Sequence, residues 1–306
     1  MRLSNLLAGA TLAFATSSQA LNILLNNDDG FGSANLREVY RLLKKDGHDV
    51  WIVAPALPRA DREAGQNLPS TPTSRAHLSI TLFPRGNHRL ARTRLTVISD
   101  YVLPRFADFK VPDLVVTGPN YGTNLGPFVW TLSGTAGAAY AATHRSIPAI
   151  ALSASNKATP YFDIHNETNP ATWAAEVGVK VVNTVINSAP KGGPLLPLGY
   201  GLNVNIPELK GNHSDLKYVQ TRMTGNAHVN EAVLDAEKGT FDWANIKPYA
   251  AGVNTCVNGD CSLEGETYVV ENGAVSISIY IVDYTAPSSR STQSIMQRIK
   301  PLAPLE

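Results

Sequence analysis

The arrangement of apolar segments near the start of the chain restricts its fold more than any other feature of the sequence. Residues 23–25 form a short apolar run that ends in turn residues. Apolar residues then recur at helical spacing as far as Gly47, at Leu36, Val39, Tyr40, Leu42 and Leu43. Residues 48–54 form a second run, rich in β-branched residues and ended by Pro55. A strand, a helix and a strand of these lengths predict a right-handed crossover between parallel strands.

The same alternation continues along the chain. Further strands are predicted at residues 113–117, 147–153 and 201–206. Helices are predicted at residues 133–145 and 170–187, the second beginning at a proline, which the first turn of a helix accepts. Strands that alternate with helices in this way indicate an α/β fold, in which helices cover both faces of a mostly parallel sheet.

Two parts of the chain are less regular. Residues 55–90 are rich in proline and predict a long surface loop with a short strand at 77–83, either a lid over a site or a tolerated insertion. Residues 100–109 predict a helix interrupted at Pro104. Near the end of the chain, residues 274–284 alternate as a half-exposed strand does, and residues 288–300 predict a closing helix.

The first twenty residues have the composition of a secretory signal peptide. Arg2 begins a short polar stretch, residues 6–15 are apolar, and Ser18-Gln19-Ala20 places small residues at the cleavage positions. We therefore expect residues 1–20 to be removed on secretion, and residues 21–306 to form a single domain. The alternative is an uncleaved N-terminal anchor, although the apolar run is shorter than the ~20 residues that a membrane span needs.

Secretion gives a meaning to the two cysteines of the chain. Cys256 and Cys261 flank the turn signal Asn258-Gly259, so we expect a disulfide that closes a short loop, with two free thiols as the alternative. Asn166 and Asn212 each begin an Asn-x-Ser/Thr sequon and are expected sites of glycosylation. The formal net charge of +1 predicts neither a nucleic-acid polymer nor a membrane surface as partner.

Two adjacent aspartates, Asp28 and Asp29, follow the first strand directly. Carboxylates this close repel each other, so they call for a cation or a cluster of strong donors. Oxygen ligands suit magnesium, manganese or calcium, and the side-chain carbonyl of Asn120, in the loop after another predicted strand, is a possible third ligand. The alternative is an ordinary Asp-Asp-Gly turn that precedes a helix.

Another candidate site lies at a strand-to-helix connection, at Ser133-Gly134-Thr135. At the start of a helix these residues supply hydroxyls, free backbone N–H groups and a favourable dipole, which together suit a phosphate group. The alternative is a serine N-cap without a ligand. Glycines at 118, 122 and 126 permit close approach of the preceding loop to a ligand or simply serve tight turns.

Several common catalytic motifs are missing from the sequence. It contains no P-loop, no Gly-x-Gly-x-x-Gly after the first strand and no zinc-binding His-Glu-x-x-His, which disfavours a dinucleotide-binding protein. The nucleophile elbow Gly-x-Ser-x-Gly is also absent, which disfavours a serine esterase. The seven histidines are scattered without local partners for a nucleophile relay.

Five stretches taken together resemble the SurE family of metal-dependent 5'/3'-nucleotidases and acid phosphatases, in particular its secreted fungal members. They are "ILLNNDDG", "DLVVTGPNYGTNLG", "LSGTAGAAYAATHRSIPAIALS", "GLNVNIPEL" and "ENGAVSISIYIVDYTAP". They occur in the order of the family and cover most of the chain from residue 21 to about residue 287. The resemblance implies a Rossmann-like α/β core with a protruding C-terminal β-hairpin region that often takes part in dimerisation, so a homodimer is possible.

The resemblance also implies roles for individual residues. The paired metal aspartates of the family fall on Asp28 and Asp29, which become the expected catalytic residues, and the asparagine ligand falls on Asn120. The conserved helix start falls on Ser133, Gly134 and Thr135, and Asn124 lies in the adjoining loop on the phosphate side. The implied cofactor is a divalent ion, magnesium or manganese, and the implied substrate is a small phosphate ester.

One departure from the family pattern concerns the loop that follows Ala54-Pro55. The family supplies a further metal ligand there from a serine, whereas this sequence places Arg62 or Glu63 at the nearest position. Glu63 would be an oxygen ligand, and Arg62 would repel the ion. We therefore expect a secreted phosphomonoesterase that acts on nucleoside monophosphates or similar esters, with a SurE-like binding protein of impaired activity as the alternative.

Overall fold

The structure is a computed structural model of the 306-residue chain. It describes residues 20–55, 77–79, 107–211, 213–237, 239–246, 256 and 261–302. The predicted signal peptide, apart from Ala20, lies outside the described residues, as do Arg62, Glu63 and Asn212.

Nine strands of the described chain form one sheet, and two more form a separate hairpin. The strands are β1 (Asn22–Asn26), β2 (Asp49–Ala54), β3 (His77–Ser79), β4 (Leu114–Tyr121), β5 (Ala149–Ala154), β6 (Tyr200–Ile206), β7 (Tyr218–Arg222), β8 (Val229–Asp235), β9 (Thr240–Ile246), β10 (Glu264–Gly265) and β11 (Val275–Ile281). The order in the sheet is β10-β7-β11-β6-β5-β4-β1-β2-β3, and every pair is parallel except β11 with β6. The predicted mostly parallel sheet is confirmed.

Helices cover both faces of this sheet. They are α1 (Ala34–Lys45), α2 (Gly126–Leu132), α3 (Gly134–Thr143), α4 (Pro170–Ser188), α5 (Glu266–Glu271) and α6 (Arg290–Ile299), with a short 3-10 helix at Tyr161–Asp163. No helix among these residues is long and apolar enough to cross a membrane.

The two faces carry separate cores because successive strand residues point to opposite sides. On one side Ile23 and Leu25 pack with apolar residues of α1 and α4, such as Val39 and Val177. On the other side Leu24, between those two residues in β1, belongs to a core that includes alanines of α3. The helices predicted from the sequence therefore lie where their apolar residues find a strand face, and the α/β fold is confirmed.

The sequence did not predict every element. α2 follows the predicted glycine turn directly, and β4 continues to Tyr121, four residues beyond the predicted end at Thr117. In the less regular C-terminal third, β7, β10 and α5 were not predicted, because they are short and depend on pairing with distant segments. The described part of the helix predicted at 100–109, residues 107–109, is not helical.

Four expectations for the C-terminal region are confirmed. β8 and β9 pair antiparallel with each other, outside the main sheet, as the predicted β-hairpin region. Cys256 and Cys261 form the predicted disulfide, with their Cα atoms 5.2 Å apart. The strand predicted at 274–284 is β11, and the closing helix predicted at 288–300 is α6.

Candidate active site

The candidate site lies at the carboxyl edge of the sheet, where β1 and β4 are neighbours. These strands pair in parallel from Ile23 with Leu114 to Asn26 with Thr117, so the residues that follow Asn26 emerge beside the end of β4. The start of α3 is tied to β4 because the Thr117 hydroxyl donates to the carbonyl of Thr135 at 2.9 Å. Three segments far apart in sequence therefore meet at one point.

Asp28, Asn120 and Thr135 are brought into contact at this edge. The Thr135 hydroxyl oxygen lies 3.2 Å from Asp28 Oδ1 and 3.3 Å from Asn120 Oδ1. A hydroxyl has one proton and donates to one acceptor at a time. The carboxylate oxygen of Asp28 and the amide oxygen of Asn120 therefore converge on a shared point.

The amide of Asn120 is oriented by the backbone of its own loop. Its Nδ2 donates to the carbonyls of Tyr121 and Gly122, each at 2.9 Å. Both N–H groups are used, so the amide oxygen is directed toward Asp28 and Thr135. This oxygen is preorganised as a ligand or acceptor.

Asp29 is held from the other side of the same loop. Its Oδ2 accepts the backbone N–H of Tyr121 at 3.1 Å. The Tyr121 hydroxyl donates to the carbonyl of Thr159 at 2.5 Å, and burial raises the pKa of this phenol, so it remains a neutral donor. Asn27 closes the turn by two 3.2 Å hydrogen bonds with the backbone of Gly30. Both aspartates are thus fixed at the end of β1.

Gly118 allows β4 to carry Asn120 into this position. Its φ is +93°, and a Cβ atom there would lie 2.1 Å from the carbonyl oxygen of Leu152 and 2.7 Å from the backbone nitrogen of Asn120. The register of β4 against β5 shifts between Thr117 and Asn120, which redirects the last residues of the strand. A side chain at position 118 is incompatible with this geometry.

Ser133 is the N-cap of α3. Its hydroxyl accepts the N–H of Ala136 at 3.0 Å, as in the capping alternative considered from the sequence. Gly134 is the first residue of the helix, and Thr135, the second, is the one that contacts Asp28 and Asn120. Thr135 is buried, while Asp28, Asp29 and Asn120 are partly exposed, so the cluster lies at the boundary between the core and the solvent.

Asn124 is placed differently from the other predicted residues. It is 6% exposed, its Nδ2 donates to the Ser153 hydroxyl at 2.8 Å, and its backbone N–H donates to Asn205 Oδ1 at 2.7 Å. These contacts join it to β5 and β6 rather than to Asp28, Asn120 or Thr135. Asn124 therefore fixes the loop between β4 and α2 from within.

Sequence reasoning missed the residues that support this loop. Asn203 and Asn205 both donate to the carbonyl of Asn124, at 3.3 and 3.2 Å, and Glu266 accepts from Gly126 at 2.8 Å. A signal for the asparagines was present: two amides at a spacing of two lie on one side of an apolar strand. Nothing in the local sequence around Glu266 distinguishes it from an acid in the first turn of a helix.

The donor set fits a hard divalent cation. The oxygens of Asp28 and Asn120 converge on Thr135, and Asp29 adds a second carboxylate beside them in sequence. Magnesium and manganese prefer oxygen ligands of this kind. Within the described ranges, no group of three or more His, Cys, Asp or Glu side chains could hold a metal ion. The candidate ligand set instead consists of two carboxylates and the amide of Asn120, which is oriented by the backbone at the end of β4.

The fold is that of an α/β protein with a Rossmann-like sheet, and the candidate site lies at the carboxyl ends of its strands, where such folds bind ligands. The chain belongs to the SurE family: the profile described as "Survival protein SurE" matches residues 23–230. The resemblance inferred from the five motifs is thereby confirmed.

Several named relatives support this assignment. An "Acid phosphatase" of Yarrowia lipolytica is 36% identical over 297 residues, covering 89% of this chain and 82% of the relative. A "5'-nucleotidase SurE" of Desulfitobacterium hafniense is 32% identical, covering 87% and 92%. The crystal structure of the SurE protein from Aquifex aeolicus matches with a TM-score of 0.59 and 24% identity, covering 92% of this chain and 98% of that one, and shows the fold. The predicted enzyme class, a hydrolase of phosphoric monoesters, agrees with these relatives' names.

Proposed function

We propose that this protein is a divalent-metal-dependent phosphomonoesterase that hydrolyses nucleoside monophosphates or similar small phosphate esters. The observation that carries the proposal is the convergence of Asp28 and Asn120 oxygens on the Thr135 hydroxyl, at 3.2 and 3.3 Å. The names of the relatives, an acid phosphatase and 5'-nucleotidases, support the same reaction class.

Asp28, Asp29 and Asn120 would hold the cation, which we propose to be magnesium or manganese. When bound, such an ion polarises phosphoryl oxygens and lowers the pKa of a water molecule. The protein contributes the placement: the Asp29 carboxylate is held by the Tyr121 N–H, and the Asn120 amide by two backbone carbonyls. Little reorganisation of these side chains would then accompany binding.

The start of α3 would bind the phosphoryl group. The N–H groups of Gly134 and Thr135 have no acceptor within the helix, and the helix dipole favours negative charge there. The Thr135 hydroxyl keeps the oxygens of Asp28 and Asn120 together. We propose that Ser133, Gly134 and Thr135 position the phosphate so that charge developing on its oxygens is stabilised, and that Asn124 contributes through the loop that it fixes.

The test is hydrolysis of a panel of mononucleotides by the protein lacking residues 1–20, with and without added magnesium or manganese. We expect activity that a chelator abolishes and that Asp28→Asn lowers at least about 100-fold. Asp108→Asn, an exposed carboxylate in the described chain, is the matched control and is expected to leave activity unchanged. Full activity in chelator, or in Asp28→Asn, would refute the mechanism.

A second candidate function follows from the departure at Arg62 and Glu63. If the missing serine ligand has removed turnover, the protein is a binding protein for phosphate esters. Metal-dependent binding of a mononucleotide without hydrolysis, measured by calorimetry, supports this alternative. Replacing Arg62 and Glu63 singly by serine distinguishes the two positions, because restored turnover identifies the one that occupies the ligand place.

We also propose that the protein is secreted after removal of residues 1–20, as their composition indicates. A homodimer is proposed as well, since Ile279 and Ile281 of β11 and Ile295 and Ile299 of α6 are all exposed apolar residues. N-terminal sequencing of the exported protein and light scattering of the purified protein test these two proposals. A start other than Leu21, or a monomer at micromolar concentration, would contradict them respectively.

A further inference from the structure

Glu266, the first residue of α5, is a completely buried acid that the proposed chemistry does not use. Its Oε1 accepts the backbone N–H of Gly126 at 2.8 Å. Its Oε2 accepts from Asn203 Nδ2 at 3.1 Å and from the Ser278 hydroxyl at 2.8 Å. Three donors from three different segments therefore converge on one carboxylate.

The same network reaches the loop that carries Asn124. We call residues 122–126 the phosphate-side loop. The Nδ2 group of Asn203 donates both to Glu266 and to the carbonyl of Asn124, so one amide bridges the acid and the loop. Asn205 also donates to the carbonyl of Asn124, and its Oδ1 accepts the backbone N–H of Asn124. The acid is thus connected to the loop directly at Gly126 and through one side chain at Asn124.

The backbone around Glu266 is packed so closely that the carboxylate has little freedom. A Cβ at Gly265 would lie 1.9 Å from the carbonyl oxygen of Gly225, and one at Gly126 would lie 3.2 Å from the Cβ of Ala227. β10 also pairs with β7 at Gly265 and Arg222. The backbone that leads into Glu266 is therefore held at the sheet, and two of the three donors to the carboxylate, Asn203 and Ser278, also belong to strands of the sheet.

We propose that Glu266 is a positioning residue of the active site, whose carboxylate sets the conformation of the phosphate-side loop and thereby the affinity for the phosphate of the substrate. This inference rests on the proposed phosphoesterase function. It identifies a residue 140 positions along the chain from Gly126 as part of the machinery that holds the phosphate.

Stability alone does not account for an acid at this place. Burying a carboxylate is costly, and buried ionic groups can often be replaced by apolar residues without loss of stability. The surrounding polar atoms are also incompletely satisfied, since Asn203 Oδ1 and Ser276 Oγ are buried without a hydrogen-bond partner. A polar cluster kept at such a cost beside a functional loop is expected to serve the loop.

Glu266→Gln tests the proposal with nearly unchanged shape. Glutamine keeps one acceptor for Gly126 but places an NH₂ group where Oε2 received Asn203 and Ser278. At about pH 8, where the carboxyl group is ionised, we expect KM for a mononucleotide to rise about 5- to 20-fold while kcat changes less than about twofold. Hydrogen exchange at residues 122–126 is expected to become faster.

Glu38→Gln is the matched control. Glu38 is the other buried acid in the described chain, at 3% exposure, and it accepts from Arg41 at 2.8 Å and Thr172 at 3.1 Å rather than from the phosphate-side loop. This variant should leave KM and exchange in the loop unchanged. If Glu266→Gln does not fold, Ser278→Ala replaces it; it removes one donor to the carboxylate and should raise KM about 2- to 5-fold.

The outcomes separate the two proposals. Unchanged KM and unchanged exchange in a folded Glu266→Gln variant, or equal changes in Glu38→Gln, would overturn the positioning role while leaving the phosphoesterase intact. If the wild-type protein hydrolyses no ester, the proposed function fails, and the exchange measurement still decides whether Glu266 orders the loop.

Discussion

The ionisation of Glu266 makes a measurable prediction about stability. Burial is the largest cause that raises the pKa of this carboxyl group, from 4.5 to about 7, against the opposing effect of hydrogen bonds from Gly126, Ser278 and Asn203. Between these two pH values the folded protein keeps a proton that the unfolded chain has released. The resulting contribution to the free energy of unfolding is fully present below pH 4.5 and is lost as the pH rises through about 7.

The magnitude follows from the size of the pKa change. At about 1.4 kcal/mol for each pKa unit, the rise from 4.5 to about 7 corresponds to about 3 kcal/mol. Glu266→Gln removes the titrating group and leaves the others in place. The free energy of unfolding of the variant minus that of the wild type should therefore increase by about 3 kcal/mol between about pH 4.5 and about pH 8.

Urea unfolding of both proteins across this pH range, with chelator present throughout, measures the difference. Ser276→Ala is the control, because it changes a buried hydroxyl of β11, the strand that carries Ser278, and this hydroxyl does not titrate. Its difference from the wild type should stay constant with pH. A difference between Glu266→Gln and the wild type that varies by less than about 0.5 kcal/mol across the range would refute the assignment of a raised pKa to this residue.

Three further predictions concern the site and its support. Thr135→Val should lower kcat/KM about 10- to 100-fold because it removes the hydroxyl beside Asp28 and Asn120, whereas Thr135→Ser should retain most activity in steady-state assays. Gly118→Ala should lower the free energy of unfolding by about 3 kcal/mol or more in urea unfolding, because its Cβ would overlap the Leu152 carbonyl. Position 122 also has a positive φ but open space around it, so Gly122→Ala should lower the free energy of unfolding by less. Replacing Cys256 and Cys261 by serine should cost at most about 2 kcal/mol, because the loop that they close is short, and a larger loss in thermal unfolding would contradict this account.

Local sequence pattern was sufficient to predict the main part of the fold, the place of Asp28 and Asp29 in the candidate site, and the serine cap of α3. The apolar periods of β1, α1 and β2 predicted a parallel crossover, and that prediction implied that Asp28 and Asp29 leave the sheet at its carboxyl edge. The serine cap of α3 was also predictable, because a cap bonds to residues only a few positions away. In each case the pattern that carries the prediction lies in one continuous stretch of the sequence.

The rest of the site depends on contacts between distant segments. The direction of the Asn120 oxygen requires the register shift of β4 against β5 and the close approach of Gly118 to Leu152. Glu266 resembles any acid in a first helical turn until β10 and β7 bring it against Gly126. A linear pattern reports which face of a strand or helix is apolar, but strand order and close backbone approach decide which polar atoms meet. Only the folded chain could therefore show which oxygens surround the candidate cation site and which acid supports the loop beside it.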